Sequence, residues 1–260
     1  METNHRPLVR LAPLAVCGLL MAVASCGDAD PVGVPVGAPS STDSTTTTDS
    51  TTLPGDPFDP VYMPAGAELG AVAVPFDETL DERALPGGTE TVLSSLPPLA
   101  SGIVSTGQAR ILGVRDVWLE VTASGTSGWV PLLNVLYVGG SRDSTAEFVD
   151  RLGGAPTAPS MLELGRIVAE SIASTDSDIP SRIVVVVAPT DGATGEVTYD
   201  VVDFPDDSIG GARLRIVGRQ VQAPGDSLPP TRLRSATAYE LVSVETTALC
   251  LRGTSDGICV

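Results

Sequence analysis

The sequence lacks the residue types on which most enzyme mechanisms depend. It contains no lysine, and its one histidine, His5, falls in an N-terminal segment that we predict below to be removed. Serine–histidine, cysteine–histidine and serine–lysine pairs are therefore excluded, as are a lysine-dependent phosphate loop and a histidine-based zinc site. Any reaction would have to use Asp, Glu, Tyr, Arg or a bound metal. We predict a non-catalytic protein without a cofactor.

Positive charge and aromatic side chains are also scarce. The formal net charge is −17 and aromatic residues make up 4% of the chain. A chain this acidic repels nucleic acid and anionic lipid head groups, so we expect no nucleic-acid partner. The 27 glycines and 22 prolines favour short strands and turns over long helices.

The N-terminus has no hydrophobic run long enough to span a bilayer comfortably. Arg6 and Arg10 precede an apolar run over residues 11–24, which ends in small residues before Cys26. This pattern is typical of a cleavable export signal. The tetrapeptide Val23-Ala24-Ser25-Cys26 resembles the lipobox of bacterial lipoproteins. The resemblance implies a signal peptide over 1–25, a diacylated Cys26, and a mature chain lipid-anchored at the extracytoplasmic face of the cell membrane.

Residues 26–63 are predicted to form a flexible tether. They are rich in Ser, Thr and Pro and contain too few large apolar residues to offset the entropy of ordering. A fully flexible chain of this length has a root-mean-square reach of ~35 Å. The composition suits both an O-glycosylated stalk and an unmodified spacer.

Residues 64–140 alternate between short apolar runs and Gly- or Pro-containing turns. The pattern predicts strands over 69–74, 101–104, 109–114, 117–122 and 128–132, and strands this short and close together indicate a small β-barrel. The clearest motif is a hairpin that begins at Trp118, turns through Gly125 and returns at Gly128-Trp129-Val130.

This hairpin resembles the closing hairpin of bacterial SH3-like (SH3b) domains. Leu80 to Arg83, Pro86-Gly87 and the turn at 96–102 match the upstream part of that pattern more loosely. In the resemblance Trp118 and Val121 face the core, and Gly128 lets the strand bend. It implies a module that binds peptide or peptidoglycan, with Trp118, Trp129 and Tyr137 as the aromatics of a ligand groove. The alternative is that both tryptophans fill a small core.

Residues 141–260 are predicted to form an α+β domain with two helices and an antiparallel sheet. Capping boxes at Ser144/Glu147 and Ser160/Glu163 indicate helices over 145–152 and 161–173. Strands are predicted over 183–188, 196–202, 212–217 and 239–245. The chain finishes on Cys250-Leu-Arg-Gly253 and Asp256-Gly-Ile-Cys-Val260. This finish resembles the end of a domain found in actinobacterial lipoproteins of unknown function.

Two features of this region are candidates for special chemistry. Cys250 and Cys259 remain in the mature exported chain, and we predict a disulfide rather than a redox pair, since the C-x-x-C spacing is missing. In the loop that it closes, an Arg252–Asp256 ion pair is expected. Four carboxylates at 200, 203, 206 and 207 indicate a solvated acidic turn, with a calcium site as the alternative.

These observations favour a membrane-anchored extracytoplasmic binding protein. We expect it to engage the cell wall or an envelope protein through the SH3-like domain. The alternatives are a structural or accessory subunit of an envelope complex without a glycan site, and a hydrolase that uses only the acidic cluster.

Overall fold

A computed structural model describes residues 53–123, 125–175, 180–222 and 237–260. All of them belong to one compact unit that begins at Ser50. The signal peptide, Cys26 and the predicted tether up to residue 52 lie outside the described residues. Within the described ranges, no helix is long and apolar enough to cross a membrane.

The first region, residues 53–143, consists of strands, mostly short. A 3₁₀ turn at Leu132–Asn134 connects the last two of them. In chain order the strands are β1 (Asp56–Phe58), β2 (Glu68–Ala71), β3 (Leu80–Arg83), β4 (Val92–Leu96), β5 (Ile103–Gly113), β6 (Asp116–Ala123), β7 (Thr126–Pro131) and β8 (Val135–Asp143).

The second region, residues 144–260, combines two short helices with four long strands. Its elements are α1 (Thr145–Leu152), β9 (Thr157–Ala158), α2 (Met161–Glu170), β10 (Arg182–Thr190), β11 (Thr194–Val202), β12 (Ile209–Gln222), β13 (Thr237–Cys250), β14 (Thr254–Ser255) and β15 (Ile258–Cys259).

The strands of both regions join in one antiparallel sheet. Its order is β10-β11-β12-β13-β8-β2-β5-β6-β7-β3-β4, with β1 on β5, β9 on β13, and β14–β15 as a separate hairpin. The expected β-rich fold is confirmed, but no closed barrel is found among the described residues. The boundary predicted after residue 140 falls inside β8, which pairs with β2 on one side and β13 on the other.

The last part of the predicted tether belongs to the folded unit. Strand β1 pairs with β5 from Asp56 to Phe58, and Met63 is buried. The boundary predicted after residue 63 therefore falls too late in the chain. The aromatic rings at Phe58 and Tyr62 set this stretch apart from the Ser/Thr-rich sequence before it.

The two predicted helix starts differ in their capping. Ser160 accepts a hydrogen bond from the backbone N–H of Glu163 at 3.2 Å, as a capping residue should. Ser144 makes no capping bond, and the carboxylate of Asp143 instead accepts the N–H of Thr145 at 2.8 Å. A hydrogen bond from the Thr145 hydroxyl at 2.6 Å, together with this backbone bond, lowers the pKa of Asp143. Helix α2 ends at Glu170, three residues before the predicted end.

The apolar side chains form two separate clusters. The second cluster packs α1 and α2 on one face of β11–β13, and all its buried members lie between Phe148 and Val244. The first cluster fills the space between the strands of the first region, but it also contains Val202 and Leu249 from the second. The first core is therefore completed by side chains that belong to the second region.

A buried ion pair fixes the two regions together. The carboxylate of Asp200 receives two hydrogen bonds from Arg213, at 2.7 and 2.8 Å, and a third from the backbone N–H of Ala73 at 2.8 Å. Arg213 also donates to the carbonyl of Ala71 at 2.9 Å. Because each charge has several partners, the pair can be buried without an unsatisfied charge.

Candidate functional site

The predicted aromatic groove is not assembled as expected. Trp118 and Trp129 are only 5% and 2% exposed. Trp118 pairs with Pro131 across the hairpin, while Leu119 and Val121 point to the opposite face and join the first core. Trp118 therefore does not share a face with Val121, because side chains alternate along a strand. The tryptophans are buried on the other face of the hairpin.

Trp118 does line a small cleft. The cleft has a volume of about 340 Å³ and includes Glu78, Thr79 and Arg83. The indole N–H of Trp118 is already bonded to Asp116 at 2.7 Å. Neither Trp129 nor Tyr137 lines this cleft. The three aromatics predicted to share one groove therefore lie in different surroundings.

Tyr137 has a structural contact instead. Its hydroxyl donates to the backbone carbonyl of Tyr62 at 2.8 Å, and burial raises the pKa of this phenol. Tyr137 thereby holds the residues just before β2 against the sheet.

Gly128 contributes to packing rather than only to the bend of a strand. A Cβ at this position would lie 2.6 Å from the Cγ of Glu82. Glu82 is fully buried, and one of its oxygens accepts a bond from the Ser94 hydroxyl at 2.6 Å. The absence of a side chain at Gly128 makes room for this carboxyl group.

The acidic cluster forms internal contacts and not a metal site. Asp200 is the buried partner of Arg213, and Asp203 pairs with Arg182 at 2.6 Å. Asp206 accepts the backbone N–H groups of Ser208 and Ile209, both at 2.8 Å, which lowers its pKa. In the described ranges no group of three or more His, Cys, Asp or Glu side chains could hold a metal. The interpretation as a solvated turn is thus wrong for Asp200, which lies inside β11.

The C-terminal disulfide is present. Cys250 and Cys259 are bonded, with 5.2 Å between their Cα atoms. The closed loop rests on β8, since Gly140 donates to the carbonyl of Gly257 at 2.7 Å. Arg252 pairs with Asp207 at 2.8 Å rather than with Asp256, so the predicted pair inside the loop is replaced by one to the acidic turn.

A sizeable apolar concavity was not foreseen from the sequence. It has a volume of about 520 Å³, within the range of small-molecule sites. It lies between the two regions, and we call it the apolar cavity. Its lining residues are Phe58, Asp59, Pro60, Val61, Tyr62, Met63, Leu132, Leu133, Leu136, Val202, Asp203, Phe204, Gly210 and Leu251.

One wall of the apolar cavity is the segment 59–63, which we call the strap. The start of the strap is fixed by the β1–β5 pairing. At its end, the hydroxyl of Ser105 donates a hydrogen bond of 2.8 Å to the carbonyl of Met63. Between these points Val61 is 68% exposed and Tyr62 is 51% exposed. The strap thus presents apolar side chains at the mouth of the cavity.

The floor and the opposite side of the apolar cavity are rigid parts of the fold. Met63, Leu136 and Val202 are buried members of the first core and form the floor. Leu133, in the 3₁₀ turn, is 47% exposed at the mouth. A cavity with a packed floor and exposed large hydrophobic residues at its mouth is typical of a binding site.

Two arginines flank the mouth, and each is neutralised by the acidic turn. Arg182 pairs with Asp203 and also donates to the carbonyl of Leu133 at 3.1 Å. Arg252 pairs with Asp207 and lies over the Tyr62 ring, 4.8 Å from its centroid. The rim therefore carries charges of both signs without an excess of positive charge.

Comparisons with protein-family models, with curated proteins and with solved structures found no match to this chain. The function must therefore be argued from the site itself.

Proposed function

We propose that this chain is a non-catalytic, membrane-anchored binding protein of the bacterial envelope, and that the apolar cavity is its binding site. The observation that carries the proposal is the cavity of about 520 Å³ with large hydrophobic residues exposed at its mouth. The lipobox at Cys26 supports attachment at the extracytoplasmic face. The absence of lysine and of any histidine beyond His5 supports a role without catalysis.

The position of the apolar cavity agrees with part of the SH3-like proposal. Only Leu132, Leu133 and Leu136 of its lining come from the region, residues 64–140, that resembles an SH3-like domain, whereas the strap precedes that region. The ligand would meet this region at its junction with β11, not on the tryptophan hairpin. An apolar lining suits an apolar ligand better than a glycan, which needs hydrogen-bonding groups.

Photo-crosslinking in cells tests the binding site. A benzophenone side chain at Leu133 should form an adduct that is absent when the same group is placed at Val114, which is 98% exposed on the β5–β6 turn, away from the cavity. One dominant protein adduct would favour the accessory-subunit form of this proposal. If both positions give the same pattern, the apolar cavity is not the binding site.

The Trp118 cleft supports a second candidate, binding to the cell wall. Its lining combines an aromatic ring with charged and hydroxyl groups at Glu78, Thr79 and Arg83, which suits a glycan or stem peptide. The protein should then sediment with purified cell-wall sacculi, and Glu78→Ala should reduce retention. The control, Glu68→Ala, changes an exposed acid on β2 outside the cleft. Equal retention of the two variants would remove this candidate.

A further inference from the structure

We propose that the apolar cavity takes a linear alkyl chain of a net-neutral amphiphile, and that the source is the acyl chain of a membrane lipid. This inference rests on the proposed binding function and names the class of its ligand.

The lining of the apolar cavity favours an alkyl chain. Apart from Asp59 and Asp203, all of its lining residues are apolar or aromatic. A second cavity of about 510 Å³ shares Phe204 with it, but the lining of that cavity includes Arg142, Glu147 and Arg151. We therefore place the alkyl chain in the apolar cavity alone.

The electrostatics of the mouth favour a ligand without net charge. Arg182 and Arg252 are each bound to a carboxylate, and Asp59 adds a further acid to the lining. A negatively charged head group would have to displace one of these carboxylates or lie beside them. An uncharged or zwitterionic head group can instead remain in solvent at the mouth, where Val61, Tyr62 and Leu133 are exposed.

The position of the cavity in the chain indicates the bilayer as the source. The strap follows directly on the sequence that leads back to Cys26, so the cavity mouth is attached to the predicted lipid anchor by 32 residues. A flexible chain of that length has a root-mean-square span of roughly 30 Å, about the thickness of the hydrocarbon core. With Cys26 lipidated as proposed, a linker of this span would hold the cavity within reach of the membrane surface, where acyl chains are abundant.

The test uses the full chain carrying Cys26→Ser, which removes the predicted lipid attachment. N-phenyl-1-naphthylamine, an uncharged polarity-sensitive dye, is the probe, and a homologous series of 1-monoacylglycerols is the competitor. We expect the dye to bind and to be displaced. Affinity for the competitor should rise about fourfold per added methylene until the apolar cavity is filled. Displacement that does not depend on chain length would overturn the inference.

Matched variants locate the binding. Leu133→Glu should weaken dye and monoacylglycerol binding at least about tenfold, because it places a carboxylate at an apolar mouth. Val61→Glu, on the strap, should do the same, and Val114→Glu should bind like the parent. All three positions are exposed, so the variants are expected to keep the parent melting temperature. If the Leu133 and Val61 variants bind as the Val114 variant does, the alkyl chain does not enter this cavity.

Two further sets of competitors test which head group the site accepts and whether the alkyl chain comes from a bilayer. Alkyl sulfate and alkyltrimethylammonium of equal chain length should compete more weakly than the monoacylglycerol, and tighter binding of either would overturn the net-neutral class. Phosphatidylcholine vesicles should also displace the dye, whereas competition only by dispersed monoacylglycerol would overturn the bilayer source. If the group at Leu133 crosslinks to a protein and no member of the monoacylglycerol series displaces the dye, this inference is wrong, but the proposed binding function is still supported.

Discussion

The two regions of the molecule build their cores in different ways. The second region packs two amphipathic helices on long strands, and among the residues that the structure describes its core contains none before Phe148. The first region has mostly short strands, and its core is completed by Val202 and Leu249 from the second. The dependence therefore runs in one direction. A region of mostly short strands is stabilised by the regular sheet beside it, whose own core contains no side chain from the first region.

The largest expected effect comes from breaking the ion pair between the regions. Arg213→Ala should lower the free energy of unfolding by about 3–5 kcal/mol, because it leaves the carboxylate of Asp200 buried without its counter-charge. Arg215→Ala is the matched control, since Arg215 lies on the same strand and pairs with Glu196 at an exposed position. That substitution should cost roughly 0–1 kcal/mol. Urea unfolding of the two variants measures the difference, and equal losses would show that the buried pair does not link the regions.

Leu249 tests the direction of the dependence. Leu249→Ala should cost about 2–5 kcal/mol, because it removes a fully buried side chain from the first core. Although Leu249 belongs to β13, the substitution should increase amide hydrogen exchange most in β2 and β5 of the first region. Leu214→Ala, in the second core, should act first on α2 and β11. The same exchange pattern for both variants would contradict the one-way dependence.

Loss of the disulfide should have a somewhat smaller effect, centred on the second region and its contact with β8. The loop from Cys250 to Cys259 spans ten residues, and the chain-entropy account gives about 2.7 kcal/mol for closing it. Adding a reductant should therefore lower the melting temperature. A Cys250→Ala/Cys259→Ala variant should melt like the reduced parent and should not respond to reductant. An unchanged melting temperature on reduction would mean that the loop is held by its other contacts.

Alkaline pH should act on the second core through Tyr199. Burial raises the pKa of this phenol to about 12, and its hydroxyl donates to the carbonyl of Leu162 at 2.8 Å. Because the folded value lies above the ordinary value of about 10, the stabilisation is complete below pH ~10 and is lost as the pH rises towards 12. The free energy of unfolding should fall in this window, and Tyr199→Phe should flatten the fall. An unchanged slope in Tyr199→Phe would assign the pH dependence to other groups.

Sequence patterns predicted the regular elements better than the irregular ones. The hairpin of β6 and β7, both helices and the four long strands of the second region all lie where periodicity and capping residues placed them. Strands β1, β3, β4, β8, β9, β14 and β15 were not predicted as strands, and the two strands predicted over 101–104 and 109–114 are one strand, β5. β1 is three residues long with prolines on both sides, and β8 contains a Gly-Gly pair, so neither shows a clear alternation. The apolar cavity was missed because its residues come from separate segments that only the fold brings together.

By itself, the sequence determined the acidic, lysine-free character of the chain, the β-rich fold with two short helices, and the disulfide, because composition, local periodicity and loop closure depend on residues close in sequence. Only the tertiary structure decided three other features. These are the side of the hairpin on which Trp118 lies, the arginine that pairs with Asp200, and the cavity that Val202 and Phe58 both line. Those outcomes depend on strand register and on contacts between residues far apart in the chain, and a one-residue change of register would reverse which side chains are buried.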